Sequence, residues 1–171
     1  MTRQLTLRPS DLVVACQLTL SIDSSFASLA SGIGLSTGEC HNAVRRLGMA
    51  SLMNAMTRRP VVDLLVRFLV FGAPHAFPPM LGPSTIGVPT AQSSPPFEGS
   101  IAEDGGLVWP DADGTARGLA LTPLFTRAAE LPRRNPPLYE VAAIIDTLRV
   151  GNAREKKIAE ELLRERFSRS T

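Results

Sequence analysis

Seven prolines, Pro74, Pro78, Pro79, Pro83, Pro89, Pro95 and Pro96, crowd one stretch of this 171-residue chain. Each fixes φ and removes an amide donor, so no regular helix is expected across 73–98. The stretch is still apolar at Phe77, Met80, Leu81, Ile86, Val88 and Phe97. It therefore reads as an ordered, irregular wrap over a core, with a flexible hinge as the second reading. On either side the texture is helical, which makes the expected class α+β, mainly α.

Before the prolines, Pro9-Ser10-Asp11 is a helix start followed by the apolar run Leu12 to Ile22. Asp23-Ser24-Ser25 interrupts it, and a second helix is expected from Phe26 to about Gly32. Gly34 suits a turn, Ser36 or Thr37 caps a third helix, and that helix is expected to end near Gly48. Met49 to Met56 fits either a strand or a loose connection. Pro60 is expected in the first turn of a helix from Val61 to Phe71, closed by Gly72, with only Asp63 and Arg67 polar. Such a helix should be buried on most sides, as core floor or subunit interface.

After the prolines, Leu107 to Pro110 and Thr115 to Leu121 flank the turn residues Asp111-Ala112-Asp113-Gly114, a pattern that predicts a β-hairpin. Trp109 is its expected core anchor, and Glu98, Glu103, Asp104, Asp111 and Asp113 read as solvated turns. A break at 132–137 exposes Arg133 and Arg134. A strongly apolar helix, Leu138 to Val150, and a last helix capped by Asn152 and Glu155 complete the chain, the latter burying Ile158, Ala159, Leu162 and Phe167. The expected division is a first unit at 1–60 and a second at 61–171.

Charge is uneven. Residues 1–67 carry seven Arg or Lys against four Asp or Glu, residues 68–131 two against six, and residues 132–171 nine against six. A basic first third and an acidic middle suit a protein that meets a polyanion with part of its surface. Two cysteines, Cys16 and Cys40, are too few for a disulfide framework and lack zinc spacing. Both sit at apolar-periodic positions, which predicts buried thiols and a reducing, cytoplasmic setting. The N-terminus has no signal-peptide pattern, and no apolar run has the length of a membrane span.

The string from Ser24 to Gly48 carries the functional inference. Ala30 is small where two short helices would cross, and Gly34 can take positive φ four residues later. Leu29, Ile33 and Leu35 are expected to point inward, as are Cys40, Ala43, Val44 and Leu47 at spacings of three and four. With Leu29-Ala30, Ile33-Gly34-Leu35-Ser36, Cys40 and Ala43-Val44, residues of about 10–60 resemble the winged helix-turn-helix regulators of bacteria, in the MarR-like pattern. The resemblance implies sequence-specific binding of double-stranded DNA, a role in transcription regulation and a homodimer. The chain departs from the family after Gly48, where no clear two-stranded wing is legible.

If the third helix enters a major groove, its outward residues are Ser36, Thr37, Gly38, His41, Asn42, Arg45 and Arg46. Ser36 and Thr37 with the free helix amides suit a phosphate, and Gly38 permits close approach. Asn42 can pair with adenine and Arg45 with guanine, while His41 can donate to a base edge or a phosphate. Arg46, Arg58 and Arg59 are then expected to clamp the flanking backbone. The alternative function is a protein-interaction module, such as an antitoxin or inhibitor partner of a toxic enzyme, in which the acidic middle holds a basic partner. No catalytic, metal or cofactor motif is present, so no enzyme and no cofactor are expected. The helices Val61 to Phe71 and Leu138 to Val150 are the candidate dimer surfaces.

Overall fold

Pro9 occupies the first turn of helix α1 (Pro9–Leu20), and the Asp11 carboxylate accepts the Arg8 amide at 2.8 Å to seal its start. Leu12, Val13, Val14, Ala15, Cys16 and Leu18 are all buried, so α1 runs through the core rather than over it. The computed structural model describes residues 5–21, 24–98 and 106–169, which form a mixed α+β fold, mainly helical. Ile22 at the end of the first apolar run, Asp23 of the break after it, and Glu103 and Asp104 of the acidic middle lie outside the described residues.

Helix α2 (Phe26–Ile33) is capped by Ser25, whose hydroxyl accepts the Ser28 amide, and is closed by Gly34 at φ 88°. Helix α3 (Thr37–Met49) begins at Ser36 in a reciprocal cap with Glu39. Leu29, Ala30 and Ile33 meet Cys40, Ala43, Val44 and Leu47 across the angle between the two helices, all buried as their spacing predicts. Strands β1 (Met53–Asn54) and β2 (Arg59–Pro60) then pair antiparallel, Met53 opposite Pro60 and Asn54 opposite Arg59. Asn54 shapes their loop by accepting the Met56 and Thr57 amides at 3.1 Å each. Pro60 thus ends a strand instead of opening a helix.

The helix expected from Val61 to Phe71 is three pieces in line: α4 (Val62–Arg67), a π-helical turn (Phe68–Gly72) and α5 (Ala73–Ala76). Pro74 has no amide for the carbonyl four residues back, and the widened turn before it absorbs the mismatch. Leu65, Val66 and Leu69 face the core, but Val61, Leu64 and Phe71 are 40%, 43% and 69% exposed. Burial on most sides is therefore corrected to burial on one.

The proline-rich wrap is corrected more strongly. Its middle is a ten-residue strand, β3 (Leu81–Thr90), and it organises a small closed barrel. Strands β4 (Leu107–Pro110) and β5 (Ala116–Leu121) each pair antiparallel with β3 and parallel with one another, so they are not a hairpin. The prolines are placed where a missing donor costs little. Pro83 falls in the register shift between Leu81 and Ser84, and Pro89 lies beyond Gly87, where pairing with β5 has ended. So tight a closure also needs Gly87 and Gly118, because a Cβ there would run into the carbonyls of Trp109 and Gly106.

Helix α6 (Leu131–Arg134) replaces the expected break and leads into α7 (Pro136–Val150) and α8 (Ala153–Ser168). Ala159, Leu163 and Phe167 of α8 are buried, with Ile158 and Leu162 partly so. One hydrophobic cluster joins α1, α2 and α3 to α4, Trp109, α7 and α8, so packing is continuous across residue 60. The expected dimer surface on α7 is overturned: Leu138, Tyr139 and every residue from Val141 to Arg149 are buried within the chain's own core. Among the described residues no helix is long and apolar enough to cross a membrane.

Helix α7 and the barrel are joined by a buried polar knot. Asp146, with no exposed surface, accepts from Thr90 Oγ1 at 2.8 Å, Trp109 Nε1 at 2.7 Å and Arg149 Nη1 at 2.7 Å. Arg149 spends its remaining donors on the Phe77 carbonyl at 2.9 Å and, at longer range, those of Pro78 and Thr122. Tyr139 adds a 2.7 Å bond to the Pro89 carbonyl and an edge contact with Trp109. Burial pushes the Asp146 carboxyl above its ordinary pKa, opposed by Arg149 and by the Thr90 and Trp109 donors.

Cys16 and Cys40 are free, fully buried thiols, and burial pushes the Cys16 pKa up and that of Cys40 up to about 11. Since the thiolate is the reactive form, the native protein should resist a thiol-specific reagent at neutral pH. Both cysteines should titrate only on unfolding, and fast labelling of native protein would contradict this burial.

Candidate nucleic-acid interface

Successive residues of a helix step round by about 100°, and this sorts α3 into faces. Cys40, Ala43, Val44 and Leu47 take the inner face, and His41, Asn42 and Arg45 are exposed on the other side, together with Thr37 and Gly38. A Cβ on Gly38 would meet nothing within 4 Å, so that end of the helix is open. Glu39 is the single acidic side chain of α3. Its carboxylate is held by the Ser36 amide and hydroxyl at 2.8 and 2.7 Å, which lowers its pKa. The Ser36 hydroxyl is thereby committed to the cap, leaving the phosphate role expected of it to the first amides of α3, which have no intrahelical partner.

Three of the expected side chains have work inside the protein. Arg46 lies one residue round from Arg45, on the flank facing α1, and binds both oxygens of buried Asp11 at 2.7 and 2.6 Å. Its side chain is only 10% exposed, so the clamp on flanking phosphates expected of Arg46 is corrected to a strut between α1 and α3. His41 stacks on Phe26 with ring centroids 3.6 Å apart. Arg58, in the β1–β2 loop at φ 55°, lays its guanidinium 4.8 Å from the centre of the same ring and donates to the Ser24 carbonyl at 2.8 Å. Phe26 thus ties α3, the start of α2 and the β1–β2 loop together. Arg58 braces the loop rather than standing free, whereas Arg59 is exposed on β2.

The later part of the chain holds the α2–α3 turn from behind. Glu130 bridges Arg127 at 2.7 Å and Arg134 at 2.6 Å, and Arg134 also donates to the Ser31 carbonyl at 2.9 Å. Arg127, then Arg134, pull the Glu130 pKa down to about 2. Asn135 donates to Gln17 at 2.7 Å and caps α7 through the Leu138 amide. Arg134 is exposed, as expected, while making these bonds. Sequence reading missed Phe26, Asp11 and this brace. The only local hints were a lone aromatic at a helix start and an Arg-Glu-Arg series at spacings of three and four.

At Gly48 the β1–β2 unit approaches so closely that a Cβ would fall 2.7 Å from that of Ala55. The hairpin is thus seated on the C-terminal end of α3. Among the described residues no group of three His, Cys, Asp or Glu side chains could hold a metal ion. Comparison with protein-family models, with curated proteins and with solved structures finds no match.

Proposed function

We propose that this protein binds duplex DNA through the outer face of α3 and acts as a bacterial-type transcriptional regulator. In this reading α2 and α3 are the helix-turn-helix, and β1–β2 is a short wing. One observation carries it: His41, Asn42 and Arg45 stand exposed together on a neutral-to-basic face that, among the described residues, no later part of the chain covers. The face sits on a frame braced from behind by Arg46, Arg58 and the Arg127–Glu130–Arg134 group, which suits a helix that must enter a groove without bending. Asn42 offers a donor and an acceptor, and Arg45 two donors, for bidentate contact with base edges, the α3 amides suit a phosphate, and Arg59 offers a backbone contact.

Selection of bound duplexes from a random pool at two salt concentrations tests the reading. An enriched motif is expected, with affinity falling as salt rises. Arg45→Ala should relax preference at one position by about 1–3 kcal/mol, while Arg59→Ala should weaken all sequences alike and reduce the salt slope by about 1. A pool that returns no motif, with affinity indifferent to both substitutions, would remove DNA as the ligand of this face.

A further inference from the structure

Between the barrel, α6 and the first turn of α7 lies a cleft of about 400 Å³, floored by Val88, Pro89, Pro132 and Tyr139. Clefts of this volume take small ligands, and an apolar floor with a few polar groups around it is their usual make-up. The floor is set before anything binds. Two of its residues are prolines with φ fixed, and the Tyr139 hydroxyl donates to the Pro89 carbonyl at 2.7 Å. Three charged side chains line the same cleft from three separate elements. Glu98 follows the short 3₁₀ turn Pro95–Phe97, Asp113 sits in the β4–β5 connection, and Arg133 lies in α6. All three are exposed, and among the described residues none makes a side-chain hydrogen bond or an ion pair. The connection carrying Asp113 is fixed as well: the Asp113 amide donates to Asp111 at 2.8 Å, and a Cβ on Gly114 would fall 2.3 Å from the Gly87 carbonyl.

We propose that this cleft binds a free α-amino acid with an apolar side chain. Arg133 takes the carboxylate through two parallel donors, Glu98 and Asp113 take the ammonium, and the side chain lies on the proline and tyrosine floor. The chemistry of the lining selects that class. Pro89, Pro95 and Pro132 have no amide to donate, so polar recognition falls to the charged groups. An amine alone would leave Arg133 unmatched beside a like charge, and a carboxylic acid alone would meet the two carboxylates. A zwitterion answers both signs, and the floor removes its apolar atoms from water. The end of a peptide chain carries only one of the two charges. The proposal does not rest on DNA binding, and it is tested without DNA.

Isothermal calorimetry of the full chain with leucine, methionine and phenylalanine should show saturable binding of at least one of them at millimolar concentration or below. The amide of that amino acid, which lacks the carboxylate, and its N-acetyl form, which lacks the ammonium, should each bind about tenfold more weakly or worse. Arg133→Met should weaken the free amino acid by a similar factor and leave the amide no weaker than in wild type. Glu98→Gln combined with Asp113→Asn should weaken the free amino acid likewise and leave the N-acetyl form no weaker. All three sites are exposed, so the urea midpoint should stay at the wild-type value, which separates lost binding from a lost fold. No binding of any of the three, derivatives that bind as tightly as the free amino acid, or an affinity indifferent to these substitutions would each overturn the proposal.

Discussion

Asp146→Ala is expected to lower the unfolding free energy by about 3–5 kcal/mol, enough to unfold much of a marginally stable domain. The physical cause is the charge left behind. Arg149 is 7% exposed and lies between α7 and the barrel, so without the carboxylate its guanidinium has, among the described residues, only carbonyl partners. Thr90 and Trp109 lose their acceptor as well. Asp146→Asn keeps an acceptor for one of them and should cost less. Urea unfolding measures the loss, and the emission of Trp109, the only tryptophan, reports whether its ring has lost the bond. A loss below about 1 kcal/mol would mean that the barrel is held to α7 by packing alone.

Arg46→Ala should act on stability and, if the proposed DNA reading holds, leave DNA affinity nearly alone, the reverse of a phosphate-contacting arginine. Removing it strands Asp11, which has no exposed surface, with only the Arg8 amide for a partner among the described residues. Breaking a pair of this kind costs about 3–5 kcal/mol, and Asp11→Ala should cost a comparable amount by stranding Arg46. Denaturant unfolding reads the stability. The slope of log affinity against log salt reads the function, and it should match wild type for Arg46→Ala but flatten for Arg59→Ala. If Arg46→Ala flattens the slope while leaving stability unchanged, the strut is in truth a clamp.

These two ion pairs mark the boundary of what could be read along the chain. The helices, the Gly34 turn and the inward set from Leu29 to Leu47 were legible because their signals repeat within a turn or two. Cap residues, glycine in the left-handed region and apolar spacing are properties of neighbours. The outward set on α3 followed from the same periodicity, and His41, Asn42 and Arg45 stand exposed where it put them.

What depended on distant partners was misread. Arg46 looked like one more outward cation, and only the approach of α1 made it the partner of Asp11, thirty-five residues earlier. Arg58 was one of two loop arginines until Phe26 arrived beneath it. Local turn chemistry at Asp111 to Gly114 favoured a hairpin, yet β3 lies beside both strands and forces them parallel. The prolines were expected to exclude regular helix over 73–98, which α5 (Ala73–Ala76) contradicts at its start, and they hid a strand, because a strand tolerates proline wherever its donor side has no neighbour.

Helix starts, the tight turn and the apolar faces are therefore written in the order of residues, since each is settled by contacts within a few positions. Strand pairing, the solvent stripe on α4 and the division of arginines between struts and free cations were settled by tertiary packing. Which carboxylate, ring or strand edge lies opposite a side chain is a matter of distances in space, and no local pattern in the chain encodes them.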